Sequence, residues 1–397
     1  MLTIENVRSA REALQGVARK TSVIHAPKLS KDCDLYLKTE NLQVTGSFKV
    51  RGAYYKMSRL SAEEKARGVV ACSAGNHAQG VALAAKKNGI KAVICLPSGA
   101  PISKVEATKS YGAEVCLVDG VYDDAYKKAV QLQQEKGYTF IHPFDDVDVI
   151  AGQGTIALEV LEQLPDLDAI LVPIGGGGLV GGIAYTIKTL APHVKVYGVE
   201  AAGAPSMYKS LQENAITELP SVATFADGIA VKRPGLLTYE LCQKYVDGVV
   251  TVSEDEIAAA ILALVEQQKL ISEGAGAVAV AAAMFNKVDL KGKKAVCVVS
   301  GGNIDVTILS RVINRGLRMS GRSCQLTIEL MDKPGQLEQI ARVVSQEGGN
   351  IISVHHERSD ERLVLNGCYI CVTLETRNFE HTAHIKQVLK ESGFKVL

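Results

Sequence analysis

The chain has 397 residues, 47% hydrophobic and 22% charged, with 44 Lys+Arg against 43 Asp+Glu for a formal charge of +1. That length suggests two or three domains, and the apolar share is that of a soluble chain with ample core material. The even charge argues against a polyanion-binding surface, which needs a clear basic excess, and no apolar run approaches the roughly 20 residues of a membrane span.

In chain order, residues 1–16 are mixed and amphipathic with no apolar signal core, which argues against export. Strands are expected at 34–38, 68–73, 91–97, 114–118, 168–173, 194–200, 247–252 and 294–300. Several are apolar throughout, the pattern of parallel strands covered on both faces. Helical spacing occupies 76–87, 121–136 and 254–269. The alternation builds βαβ units in open, doubly wound α/β sheets, and so many strands divide more comfortably into two lobes than into one sheet. After Arg322 the texture changes. A strand at 323–331, a turn at 332–335, a helix at 336–346, strands at 350–358 and 365–374, a helix at 379–391 and a last strand at 394–397 follow. That order, βαββαβ, is the ferredoxin-like split unit, with the boundary expected near Gly321. The nine cysteines are an odd, scattered set, mostly inside apolar runs. They read as reduced thiols of a cytoplasmic protein.

Four loops carry candidate chemistry. In Thr45-Gly46-Ser47-Phe48-Lys49 a lysine stands just inside a helix start, where free backbone N–H groups and the helix dipole depress the pKa of an ammonium. That moves it towards the neutral amine of Schiff-base chemistry; an ordinary solvated lysine is the competing reading. Ser73-Ala74-Gly75-Asn76-His77, after a strand, offers N–H groups, a hydroxyl and an amide to a carboxylate or phosphate, or else only caps a helix. Gly175-Gly176-Gly177-Gly178-Leu179 can fold into a concave nest of N–H groups. By the letter, Gly176 to Gly181 also satisfies GxGxxG, with Glu200 about 20 residues on as in dinucleotide sites, but a cradle for a single phosphate suits the other loops better. Ser300-Gly301-Gly302-Asn303 puts a hydroxyl at the C-terminal edge of a sheet, where open α/β folds bind ligands.

Taken together, GSFKVRG, SAGNHAQG, IGGGGL and SGGN, with HPFDDVDVIAGQGT at 142–155, resemble the fold-type II pyridoxal-phosphate enzymes of the serine/threonine dehydratase family. The resemblance implies two lobes of open twisted sheets in a catalytic domain over 1–320, its small lobe of about 41–145 inserted in the large one. It implies pyridoxal 5′-phosphate as cofactor, bound through a Schiff base to Lys49, with Phe48 beside the ring and Asn76 on its 3′-oxygen. The N–H groups of Gly175, Gly176, Gly177, Gly178 and Leu179 would hold the phosphate, and Ser300 would meet the pyridine nitrogen. Ser73, Ala74, Gly75, Asn76 and His77 would grip the substrate carboxylate. The implied reaction is a threonine ammonia-lyase β-elimination, turning L-threonine, and L-serine, into 2-oxobutanoate or pyruvate and ammonia, with Lys49 as general base. Homodimers or homotetramers are usual in the family, and isoleucine synthesis is one setting for it.

Two positions sharpen the expectation. A serine at 300 cannot supply the charge that keeps a pyridinium protonated, which favours prompt elimination. The racemases of the family carry a serine where this chain has Ala74, so racemisation is expected to be weak. Some relatives bind a cation through a glutamate matching Glu200 and an aspartate; Ser206 stands in place of the latter, and no metal ligands are expected. Cys368 and Cys371 have CxxC spacing, but on a strand residues three apart face opposite sides. His381 and His384 read as surface residues of a helix. Residues 323–397, through Asp332 to Leu337 and Gly348 to Ile351, resemble the ACT domain, a regulatory amino-acid-sensing module. An effector such as isoleucine or valine is then expected at Asp332, Pro334, Gly335, Leu337, Asn350 and Ile351.

Overall fold

The computed structural model describes residues 1–361 and 363–397, the side chain of Ser103 apart. The chain divides into two compact units, Met1–Asp305 and Val306–Leu397. Among the described residues no helix is long and apolar enough to cross a membrane.

The first unit carries the strands β1 Val23–His25, β2 Asp34–Lys38, β3 Val69–Cys72, β4 Ala92–Pro97, β5 Glu114–Val118, β6 Thr139–Phe140, β7 Ala169–Pro173, β8 Lys195–Ala201, β9 Gly248–Val252 and β10 Lys294–Val298. Six form a sheet in the order β1-β2-β10-β7-β8-β9, and four form a second in the order β5-β4-β3-β6. Every pairing is parallel except β1 with β2. The apolar runs became the covered strands: every residue of β3 and β7 is buried. The chain leaves the large sheet after β2, builds the small one, and returns at β7. β1 and β6 were not expected, because three and two residues are too short to show a period. The run expected to end at 300 stops at Val298, after which the chain turns into the crevice described below. The helix expected over 254–269 is α-helical only to Ala263 and continues as a π-turn over Leu264–Gln268.

Two glycine contacts set the spacing of the helices that frame the site. A Cβ on Gly52, in helix Lys49–Ser58, would lie 2.6 Å from the carbonyl oxygen of Val149; one on Gly152, in helix Val147–Gln163, would lie 2.6 Å from Gly52 Cα. Gly182 of helix Gly178–Leu190 meets the other side of Val147–Gln163 as closely, its missing Cβ 2.4 Å from the Ile150 oxygen. Any side chain at these crossings would drive the helices apart.

The second unit holds helix Val306–Met319, β11 Ser323–Met331, helix Gln336–Gln346, β12 Asn350–Glu357, β13 Gly367–Glu375, helix Phe379–Glu391 and β14 Lys395–Val396. Its sheet order, β12-β13-β11-β14, with all pairs antiparallel, is the ferredoxin-like arrangement. Alternate residues of β11 and β13 (Leu326, Ile328, Ile370, Val372 and Leu374) share a buried core with Ile340, Val344, Ile385 and Leu389 of the two helices. The division falls upstream of Gly321. That glycine, at φ +67°, is the left-handed turn ending helix Val306–Met319, and its carbonyl accepts from Thr376 Oγ1 at 2.6 Å. It is packed inside the second unit, which begins at Val306. His381, read as a surface residue, is buried: its Nδ1 accepts from the Arg377 N–H at 3.1 Å and its Nε2 lies 2.8 Å from the Glu347 oxygen. His384 is the exposed one, 2.7 Å from a Glu347 carboxylate oxygen.

Candidate active site

A crevice of about 830 Å³ collects all four loops. Phe48, Lys49, Ser73 to His77, Gly175 to Leu179 and Ser300 all line it. The convergence follows from topology: β3, β7 and β10 are parallel members of their sheets, so the turns that leave their C-terminal ends face one opening.

The lysine loop is stitched to the serine loop. Phe48 N–H donates to the Ser300 oxygen at 3.1 Å and Gly302 N–H to the Gly46 oxygen at 2.8 Å. Gly46 sits at φ +70°, a conformation that suits glycine. Lys49 is the first residue of its helix; its Nζ donates to the Pro143 carbonyl at 2.7 Å and stands 5.3 Å from the centre of the Phe48 ring. Burial pushes its ammonium down to about 8, with Glu273 pulling the other way. A neutral amine is therefore accessible near physiological pH.

In the second loop no side chain caps helix Asn76–Asn88; Gly75 precedes it, and its own N–H donates to Ser73 Oγ at 3.2 Å. The first-turn amides are thus left for an anion. His77 is engaged elsewhere: its buried ring lies 2.9 Å from the Ile141 carbonyl oxygen, and burial, with Lys49 nearby, pushes it down to about 3. It stays neutral and offers the site its backbone, not an acid or base.

The glycine loop opens helix Gly178–Leu190, again without a side-chain cap. A Cβ on Gly176 would lie 2.3 Å from the Phe144 ring, one on Gly178 2.9 Å from Phe144 Cβ, and one on Gly177, at φ +94°, 2.8 Å from Met207 and Thr238. Thr238 Oγ1 donates to the Gly176 oxygen at 2.6 Å. Phe144 is itself fixed, since His142 Nδ1 accepts from the N–H groups of Phe144 (3.3 Å) and Asp145 (2.8 Å). Only glycine fits this cradle. Across the crevice Ser300, 3% exposed, donates to the Ala275 oxygen at 3.4 Å.

Sequence reasoning missed Glu273, Asp227 and Lys104, which also line the crevice. No motif marks Glu273; it is one acidic residue before a helix of small residues, and only the fold turns it inward. Burial first, then Asp227, push its carboxyl up to about 7, against the Asn76 hydrogen bond and the charges of Lys104 and Lys49. Lys104, from helix Ile102–Ser110, ion-pairs with Asp227 at the crevice wall. Glu200 is buried outside the crevice, accepting from the N–H groups of Met207 (2.9 Å) and Tyr208 (2.8 Å), with burial raising it to about 8.

The second unit has its own cavity of about 390 Å³. Asp332, Pro334, Gly335 and Leu337 line it, joined by His356 and Arg358. Arg358 bonds Asp332 at 2.6 Å and approaches His356 Nδ1 at 3.2 Å. Asn350 and Ile351 stand apart at the start of β12, where Asn350 donates to Glu375 at 3.2 Å and Ile351 packs on the core.

An uncapped helix start walled by glycine, a lysine of depressed pKa and a buried neutral hydroxyl together suit a phosphorylated aldehyde coenzyme, anchored at one end and reacting at the other. A family model described as pyridoxal-phosphate dependent enzyme matches residues 14–301. The chain belongs to that family, and its coenzyme is pyridoxal 5′-phosphate. It is 49% identical over 398 residues to the L-threonine ammonia-lyase of Thermotoga maritima, covering 100% of this chain and 99% of the relative. To the catabolic L-threonine dehydratase of Escherichia coli K12 it is 45% identical over 315 residues, covering 78% and 96%. Among solved structures, the processed threonine deaminase isoform 2 of Solanum lycopersicum aligns with a TM-score of 0.75 at 41% identity, covering 78% of this chain and 87% of that one. Maize serine racemase aligns with a TM-score of 0.75 at 35% identity, covering 80% and 98%. Within its family the chain stands beside the L-threonine ammonia-lyases.

Proposed function

We propose that this enzyme eliminates the β-hydroxyl of L-threonine, and of L-serine, releasing 2-oxobutanoate or pyruvate and one ammonia per substrate. The observation that carries the reading is Lys49: a half-buried amine of lowered pKa, facing the glycine cradle across one crevice. When bound, the coenzyme supplies an aldehyde for the substrate amine and a ring that draws electrons from the substrate Cα–H. The chain does the rest. Gly175 to Leu179 hold the phosphate with backbone N–H groups. The uncapped start of helix Asn76–Asn88 holds the substrate carboxylate. Lys49, neutral, takes the Cα proton, and Ser300, a hydroxyl with no charge, leaves the coenzyme ring less electron-poor than a carboxylate would. The β-hydroxyl departs as water, carrying away one proton in place of the one Lys49 took from Cα, and uptake of one water then gives the 2-oxo acid and ammonia, so atoms balance.

The test is a borohydride-reduced peptide map with a 2-oxo-acid assay on both hydroxyamino acids. The coenzyme should be found on Lys49, and Lys49→Ala should lower turnover by about 10³-fold or more, as expected for loss of a general base and attachment point. Full turnover in that variant would overturn the reading.

The C-terminal unit is proposed as a regulatory ACT domain over 323–397, with a branched amino acid, isoleucine or valine, as effector. A cavity offering Asp332 for an ammonium, Arg358 for a carboxylate and Leu337 with Ile370 for an aliphatic chain supports it. In the full chain, Arg358→Ala should abolish the response of activity to these amino acids; an unchanged response would remove the sensing role. We further propose a cytoplasmic homodimer or homotetramer, a compartment in which the nine free thiols stay reduced.

A further inference from the structure

The amide of Asn76 is held at both ends. Asn303 Nδ2 donates to the Thr45 carbonyl at 2.8 Å and to Asn76 Oδ1 at 2.7 Å, and Asn76 Nδ2 donates to Glu273 Oε1 at 2.5 Å. The direction of this chain is set at its start. A backbone carbonyl can only accept, so Asn303 must turn its nitrogen to Thr45; Asn76 must then turn its oxygen to Asn303 and its nitrogen to Glu273. A primary amide nitrogen carries two hydrogens, so one remains for the crevice. Glycine makes the room at both ends: a Cβ on Gly46 would lie 2.3 Å from Asn303 Oδ1, and one on Gly301 2.2 Å from Glu273 Oε1. Glu273 is 5% exposed and directly precedes helix Gly274–Met284, yet its side chain does not cap that helix. It is spent on Asn76 instead.

We infer that Glu273 is a positioning residue of the coenzyme site: acting as a hydrogen-bond acceptor, it fixes Asn76 so that one amide N–H is aimed at the ring oxygen of the coenzyme. The inference rests on the coenzyme reading of the crevice and on nothing about the amino acid consumed. The groups that face Glu273 are Asn76, Asp227, Lys104 and Lys49. With its carboxyl poised at about 7, acidification below neutrality converts a charged acceptor into a weaker neutral one, so the grip on Asn76 loosens in that range.

The experiment titrates pyridoxal phosphate into the apo forms of the wild type, Glu273→Gln and Glu273→Ala at about pH 8, following the visible absorption of the bound coenzyme, and then scans the loaded proteins through neutrality. Glu273→Ala should bind the coenzyme about tenfold more weakly, the worth of one hydrogen bond to a charged group, with a displaced absorption band. Glu273→Gln, whose amide oxygen still accepts, should restore affinity to within about threefold together with the native band, and should lack the transition near neutrality expected of the wild type; a wild type without that transition would overturn the assignment as well. Native affinity and band in Glu273→Ala, no recovery in Glu273→Gln, or persistence of the transition in Glu273→Gln would each overturn the assignment. If circular dichroism shows that Glu273→Ala does not fold, Asn303→Ala breaks the same chain at its other end. Weaker binding there supports the assignment, and native binding overturns it. None of these readouts uses substrate, so an error about threonine would leave them unmoved.

Discussion

Arg51 grips Glu40 through two hydrogen bonds of 2.8 Å, from Nε and Nη2, with the two side chains 1% and 0% exposed. The same guanidinium donates to Glu159 at 2.7 and 3.0 Å, and Lys38 reaches Glu159 at 2.6 Å. Burial pushes the Glu40 carboxyl up, but Arg51 beside it prevails and holds it below the ordinary carboxylate range. Two cations thus neutralise two carboxylates beneath the lysine helix. Arg51→Met should leave both carboxylates short of a partner and cost about 3–5 kcal/mol, read as a lowered urea midpoint by circular dichroism. A midpoint within error of the wild type would show that the cluster is not stabilising.

The glycine cradle predicts a steric variant with a built-in rescue. Gly176→Ala should push on the Phe144 ring and weaken coenzyme binding by about tenfold, equivalent to about 1.4 kcal/mol. Adding Phe144→Leu should recover part of that loss, because the two sites are in contact and their effects are coupled. Equal coenzyme affinity in wild type and Gly176→Ala would show that the loop tolerates a side chain.

His77 predicts a pH dependence of stability. Its folded pKa, about 3, lies below that of an unfolded histidine, about 6.5. Between those values the unfolded chain binds a proton that the folded chain refuses, so stability present above about pH 6.5 is lost as the pH falls, by up to about 1.4 kcal/mol per unit. His77→Gln, which can still donate to the Ile141 carbonyl, should flatten the slope of apoenzyme stability between about pH 6.5 and 5 by one proton's worth. Parallel slopes would contradict the assignment of a neutral ring.

Ala74 lines the crevice and carries no exchangeable proton. Conversion of L-serine to D-serine should therefore run at least about 10²-fold below dehydration, the worth of a placed acid–base group. Chiral chromatography of the reaction mixture checks it, and Ala74→Ser should raise the racemised fraction. Comparable rates in the wild type would refute the prediction.

Much of the site was legible because its parts are local. Glycine runs, a helix-start lysine and strand-end hydroxyls announce themselves within a few residues, and apolar runs such as 169–173 declare covered strands. What stayed hidden depends on distance along the chain. Glu273 meets Asn76, and Arg51 meets Glu159, only after the sheets have formed; neither has a sequence signature. β1 and β6 are too short for periodicity. His381 looked exposed because helical spacing alone does not reveal that the Glu347 carbonyl lies over it. At Gly321 a helix-ending turn resembles a domain boundary, since both use glycine for its backbone freedom.

The touching backbones of Gly52 and Gly152 have a bearing on how such an enzyme can change. Glycine is the smallest residue, and alanine, the next step up, would already put its Cβ at 2.6 Å, about 1 Å inside ordinary contact. No graded series of substitutions can slide the helix that begins at Lys49. New substrate preferences would have to come from the remaining walls, reshaped around an amine that does not move.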